Sequence, residues 1–297
     1  DGTPAGTSAL IDSIENYYPG RFMNVFNGRL WIFRKGADNH WGLWRSNNDA
    51  SAFELAVPLN PPGTGSPSYF ITHGDHMYFF ADDGINGVQY YQSDGTVAGT
   101  RPFLDADVPA RPTLNYYQPV IPAFWRGQLY YTSHLPEYGR EMFVSDGTAD
   151  GTYLLADILP GIQSSDPIQL GTAFTDSLFF FTAFTRQHGR ELWQTDGTPE
   201  GTFMVQDICP GPCSSSPDQL NIIGNGTLLF NAYHPGVGIE PWIYRFAAGP
   251  STETEEIYSP SLERLLVFPN PNAGERFYVS LPEMRGSHHI EVLDLRG

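Results

Sequence analysis

The sequence predicts an all-β chain, a β-propeller of about five four-stranded blades, and three observations predict it. The first is composition: of 297 residues, 31 are Gly and 25 Pro, 20 are Phe, 16 Tyr and 6 Trp, and only 16% are charged. That profile suits short strands joined by tight turns. The second is the string Asp-Gly-Thr-x-x-Gly-Thr, which starts at Asp1, Asp94, Asp146 and Asp196, the last three 52 and 50 residues apart. The third is an aromatic run that starts at Leu30, Met77, Leu129, Leu178 and Leu228, at intervals of 47, 52, 49 and 50. Two independent landmarks share one period, and four strands per period of this length form a propeller blade. An elongated β-solenoid or a string of small sandwiches is the alternative architecture.

Each element follows from local pattern. In the clearest period, Ile168 to Phe174 reads as a first strand and Thr175-Asp176 as a tight turn. Leu178 to Ala183 reads as the second strand, Glu191 to Thr195 as the third and Phe203 to Ile208 as the fourth. Aromatic and β-branched residues bounded by Gly, Pro, Asn and Asp carry the strand signal. The continuous aromatic runs suit a second strand buried on both faces. On this reading blades span about 22–57, 69–104, 119–158, 168–208 and 220–244. In the first blade the degenerate copy is Leu43-Trp44-Arg45-Ser46-Asn47, which keeps the aromatic and loses the glycine turn. The last blade lacks a fourth strand and Ser8 to Ile14 is an orphan one, so the N-terminal strand is expected to complete it. The propeller would occupy 1–246, an acidic linker 247–264, and a segment without the repeat 265–297. A chain opening on Asp1 without Met or signal peptide reads as mature or truncated.

In the turns Asp94-Gly95-Thr96, Asp146-Gly147-Thr148 and Asp196-Gly197-Thr198, Gly supplies a positive φ while Asp and Thr bond across the loop. A structural turn lock is the first reading. A calcium site is the second, although the Asp-x-Asp-x-Asp-Gly order is missing. No other cofactor is indicated. In the strand ahead of each turn, Trp193 is an aromatic landmark, and Glu141 and Glu191 recur in Gly-Arg-Glu triplets. A catalytic carboxylate is expected once, not once per blade, so these two read as blade-to-blade hydrogen-bonding residues. Cys209 and Cys213, the only cysteines, have three residues between them and lie in a loop, which favours a local disulfide over a redox pair or zinc site. The eight histidines are scattered, and no His-Glu-x-x-His, Gly-x-Ser-x-Gly or P-loop occurs. No catalytic and no metal-ligating residue is therefore assigned. A net charge of -17, with Lys35 the only lysine, excludes a nucleic-acid binder. No apolar run approaches the roughly 20 residues of a transmembrane helix.

The best copy, Glu191-Leu192-Trp193-Gln194-Thr195-Asp196-Gly197-Thr198, resembles the bacterial ELWxxDGT-repeat proteins, a likeness that covers roughly 1–246. That family implies large, exported, repeat-built proteins without a settled activity. The tail resembles the type A C-terminal sorting domain of the type IX secretion system. Leu266-Val267-Phe268-Pro269-Asn270-Pro271 looks like its opening, with Pro269, Asn270 and Pro271 the motif. Phe277 to Leu281 matches its next strand, and Ile290 to Gly297 the strand that ends in Asp294-x-x-Gly297. The resemblance implies a partial β-sandwich that engages the type IX machinery, export through the periplasm, and a final place outside the cell or on the outer-membrane surface. The expected function is a non-catalytic module for binding or scaffolding, with a glycan or protein ligand. The rival is an extracellular propeller hydrolase acting on polysaccharide, whose paired carboxylates leave no local signature. A structural adhesion repeat that depends on calcium is a third reading.

Overall fold

The computed structural model describes residues 23–59, 67–82, 84, 88–110, 122–168, 173–223, 226–246, 261–264, 266–268 and 278–280. The Asp1 turn, the orphan strand at 8–14, and Pro269, Asn270, Pro271, Asp294 and Gly297 lie outside them. Among the described residues every regular element is a strand.

Sheet A contains β1 (Met23–Phe26), β2 (Arg29–Lys35), β3 (Trp41–Ser46) and β4 (Phe53–Pro58). Sheet B contains β5 (Ser68–His73), β6 (His76–Asp82), β7 (Val88–Ser93) and β8 (Arg101–Pro102), and sheet C β9 (Ala123–Trp125), β10 (Gln128–Leu135), β11 (Gly139–Ser145) and β12 (Tyr153–Ala156). Sheet D contains β13 (Phe179–Thr185), β14 (Gly189–Thr195) and β15 (Phe203–Gln206). Its first strand appears as the bridges Ile168↔Thr182 and Phe174↔Phe179. Sheet E contains β16 (Asp218–Ile222), β17 (Thr227–His234), β18 (Gly238–Arg245) and β19 (Ser261–Arg264). All neighbours pair antiparallel in chain order, the up-and-down topology of propeller blades.

The aromatic second strands of sheets B, C and D are buried because each of these sheets is covered on both faces, and side chains alternate between those faces. Met77, Phe79 and Ala81 of β6 join a cluster with Trp31, Phe33 and Leu43 of sheet A. Their neighbours Tyr78 and Phe80 face the other way, into a cluster with Leu129, Tyr131 and Phe143 of sheet C. Tyr130 then meets Phe179 and Phe181 of sheet D, and Phe180 meets Leu228, Phe230 and Tyr244 of sheet E. Four cores thus lie between five consecutive sheets, A to E. The register between third and fourth strands slips at Leu43/Trp44, Met142/Phe143 and Leu192/Trp193. That is one bulge at the same repeat position in three blades, and it turns the outer strand.

One expectation changes. The outer edge of β18 is occupied by β19, from the segment expected to be linker, and not by the N-terminal strand. An edge accepts one strand, and the segment reached soon after Arg245 closes a shorter loop than one from the far end of the chain. Beyond it, β20 (Leu266–Phe268) pairs with β21 (Tyr278–Ser280), both within the segment expected to be a sorting domain.

Candidate functional site

The Asp-Gly-Thr turns are three copies of one hydrogen-bond network. In the first, Asp94 Oδ1 accepts from Thr96 N at 2.8 Å and from Thr96 Oγ1 at 2.7 Å. Gly99 N donates to Thr96 Oγ1, Thr100 Oγ1 donates to Thr96 O, and Gly95 N donates to Ser93 Oγ. Asp146 and Asp196 repeat these bonds with Thr148 and Thr198. Bonds from the Thr partners hold all three carboxyls below their ordinary range. In the turn that follows the degenerate copy, Asp49 Oδ1 accepts instead from Ser51 N and Oγ. Among the described residues no group of three His, Cys, Asp or Glu side chains is placed to hold a metal ion.

Glu141 and Glu191 lie fully buried at equivalent places in β11 and β14. Each carboxylate gathers the linker that leads to the next blade. Glu141 Oε1 accepts from Leu159 N at 3.3 Å and Ser165 N at 3.2 Å, and Oε2 from Ser165 Oγ at 2.5 Å. Glu191 accepts from Ile208, Cys209 and Ser215 N and from Ser215 Oγ. Burial outweighs these bonds and pushes Glu141 up to about 7, and Glu191 also upward. The structure joins Cys209 and Cys213 in a disulfide, Cα to Cα 5.3 Å, so the linker on Glu191 is also closed covalently. Trp193 packs half-buried against the C–D core, its ring centroid 6.4 Å from that of Phe181.

The residues that carry the sequence motifs thus serve each blade and its linkers. A different set comes together at the axis. A cavity of about 630 Å³ opens where the first strands of sheets A to D converge. Its walls include Asn24, Thr72, His73, Phe124, Trp125, Arg126, Phe174 and Asp176. The hairpin turn Arg126-Gly127 has positive φ at both residues, the geometry of a type I′ turn. It aims Arg126 at the next blade, where Nε donates to Asp176 O at 2.8 Å and Nη1 to Asp196 O at 3.0 Å. The guanidinium lies 4.5 Å from the Trp125 ring centroid, and Trp125 Nε1 donates to Thr175 O at 2.6 Å. His73 stacks on Phe124 with centroids 5.2 Å apart. Phe174 is 42% exposed, an apolar face open beside the Asp176 carboxylate.

The sequence reading missed this set because its members are not repeated. Position by position, the turns between first and second strands hold Asn27-Gly28, Gly74-Asp75, Arg126-Gly127 and Asp176-Ser177. The departures from the repeat, not the repeat, were the available signal.

No family model matches the sequence, and no curated protein matches it. Solved structures of similar fold include TolB from Acinetobacter baumannii (11% identity, TM-score 0.44, 75% of this chain and 51% of that one). Others are a puromycin-hydrolyzing peptidase from Mycobacterium tuberculosis (13%, 0.48, 75% and 35%) and an α-L-arabinofuranosidase from Clostridium thermocellum (13%, 0.31, 77% and 90%). The chain spans about half or less of the first of these structures. At such identities the likeness concerns the fold alone.

Proposed function

We propose that this chain is an exported, non-catalytic propeller module that binds a glycan or protein ligand in the axial cavity. The observation that carries this reading is the cavity wall itself. It combines aromatic faces, Phe174 above all, with amide, imidazole, guanidinium and carboxylate groups, the mixed lining that recognises a polar ligand by stacking and hydrogen bonds. Asp176 is the one carboxylate among the described wall residues, whereas glycoside hydrolysis uses two. The test is a glycan array paired with a polysaccharide hydrolysis screen. Binding without turnover is expected, weakened about tenfold or more by Phe174→Ala. Turnover abolished by Asp176→Asn would overturn the reading in favour of a hydrolase.

Export is part of the same proposal. The Pro269-Asn270-Pro271 motif supports passage through the type IX machinery, and a disulfide suits an oxidising compartment outside the cytoplasm. Fractionation of the host cell is expected to place the protein outside or on the outer membrane, and recovery in the cytoplasm would refute export.

A further inference from the structure

The axis has a second polar end. The inner strand of sheet D enters after Asp166 and leaves at Thr175-Asp176, so Asp166 lies at the end away from the cavity. Two guanidiniums reach it, one from each Gly-Arg-Glu triplet. Arg190 starts on β14, crosses β13 with Nη1 3.4 Å from Thr182 O, and donates to Asp166 O at 2.8 Å. Arg140, from the preceding blade, places Nη1 3.4 Å from Asp166 Oδ1.

The charges do not balance. Two cations face one carboxylate that is 42% exposed, and only Arg140 is within ion-pair distance of it. The carboxylates of the same triplets cannot help, because adjacent residues of a strand point to opposite faces, and Glu141 and Glu191 turn into the linkers. Arg140 Nε is buried without a hydrogen-bond partner, although a guanidinium is a donor at every nitrogen. Burial also lowers the Arg190 pKa from its ordinary value, a sign of a cation poorly served by its surroundings. The pair is not a demand of the repeat, since the equivalent positions hold Val88 and Ile239. At 0.15 M salt the chain's overall negative charge is screened within about 8 Å, which leaves local excess charge to decide.

We propose that Arg140 and Arg190 form an oxyanion site at the end of the axis opposite the cavity, fitted to the carboxylate or sulfate group of an acidic ligand. A planar fork of donors matches either group with paired hydrogen bonds. The experiment compares melting of the full chain in sodium sulfate, sodium glucuronate and sodium chloride at equal ionic strength. About 10 mM of each oxyanion is enough, with sodium chloride added to level the ionic strength, below the range where sulfate stabilises proteins in general. The midpoint is expected to rise over chloride with at least one oxyanion, and which one does so separates a sulfate from a carboxylate ligand. Arg190→Gln should abolish the rise. Should that variant not fold, Asp166→Asn decides: removal of the competing carboxylate should tighten oxyanion binding about fivefold. No rise over chloride in the unaltered chain, or no tightening in Asp166→Asn, overturns the site.

Discussion

At the scale of single residues, the repeat is a set of steric and hydrogen-bonding requirements met three times. The two glycines of Asp196-Gly197-Thr198-Pro199-Glu200-Gly201-Thr202 are there for different reasons. Gly197 has a φ of +95°, open to glycine at little cost. Gly201 has an ordinary φ, but a methyl group there would overlap the Asp196 carboxylate. Gly201→Ala must therefore push Asp196 off Thr198 and is expected to cost about 1–3 kcal/mol, read as a lower urea midpoint. A midpoint equal to that of the unaltered chain would show that the lock contributes nothing. The motif was fully legible in the sequence because all of its partners lie within eight residues.

At the scale of elements, the linkers between blades are held by carboxylates rather than by strand pairing. Glu141 draws Leu159 and Ser165 together, and Ser165 O in turn accepts from Phe184 N of the next blade at 2.7 Å. One side chain thus ties the third strand of sheet C to the second strand of sheet D. Because burial raises Glu141 to about 7, the folded state binds a proton more tightly than the unfolded one. Its favourable contribution is complete below the ordinary carboxylate value and is lost as pH rises through about 7. Glu141→Gln removes this titration. The melting midpoint of the unaltered chain, relative to that of the variant, is expected to fall between pH 5 and pH 8. A constant difference across that range would contradict it.

At the scale of the molecule, stability comes from sheets stacked in series, each covering the next. Sheet E depends on β19 to occupy the outer edge of β18, and an uncovered edge is a template for association with other chains. Truncation after Phe246 is expected to lower the melting midpoint and produce oligomers on size exclusion. A monomer with an unchanged midpoint would show β19 to be dispensable. The two ends of the axis arise only at this scale, since Asn24, His73, Arg126 and Asp176 come from four different sheets.

The sequence by itself determined the all-β architecture, the period, the four-stranded unit and the structure of its turns. These rest on contacts within one repeat, and each copy states them again. It also located Glu141, Glu191 and the two cysteines as members of inter-blade connections, because the connecting segments recur with the period. Only the tertiary structure decided which strand completes the last sheet, since two segments could compete for one edge and chain distance chose between them. Only it assembled the cavity and the arginine pair. Their residues stand about 50 apart in sequence and become neighbours when consecutive blades turn their first strands to a common axis, a juxtaposition that no local pattern encodes.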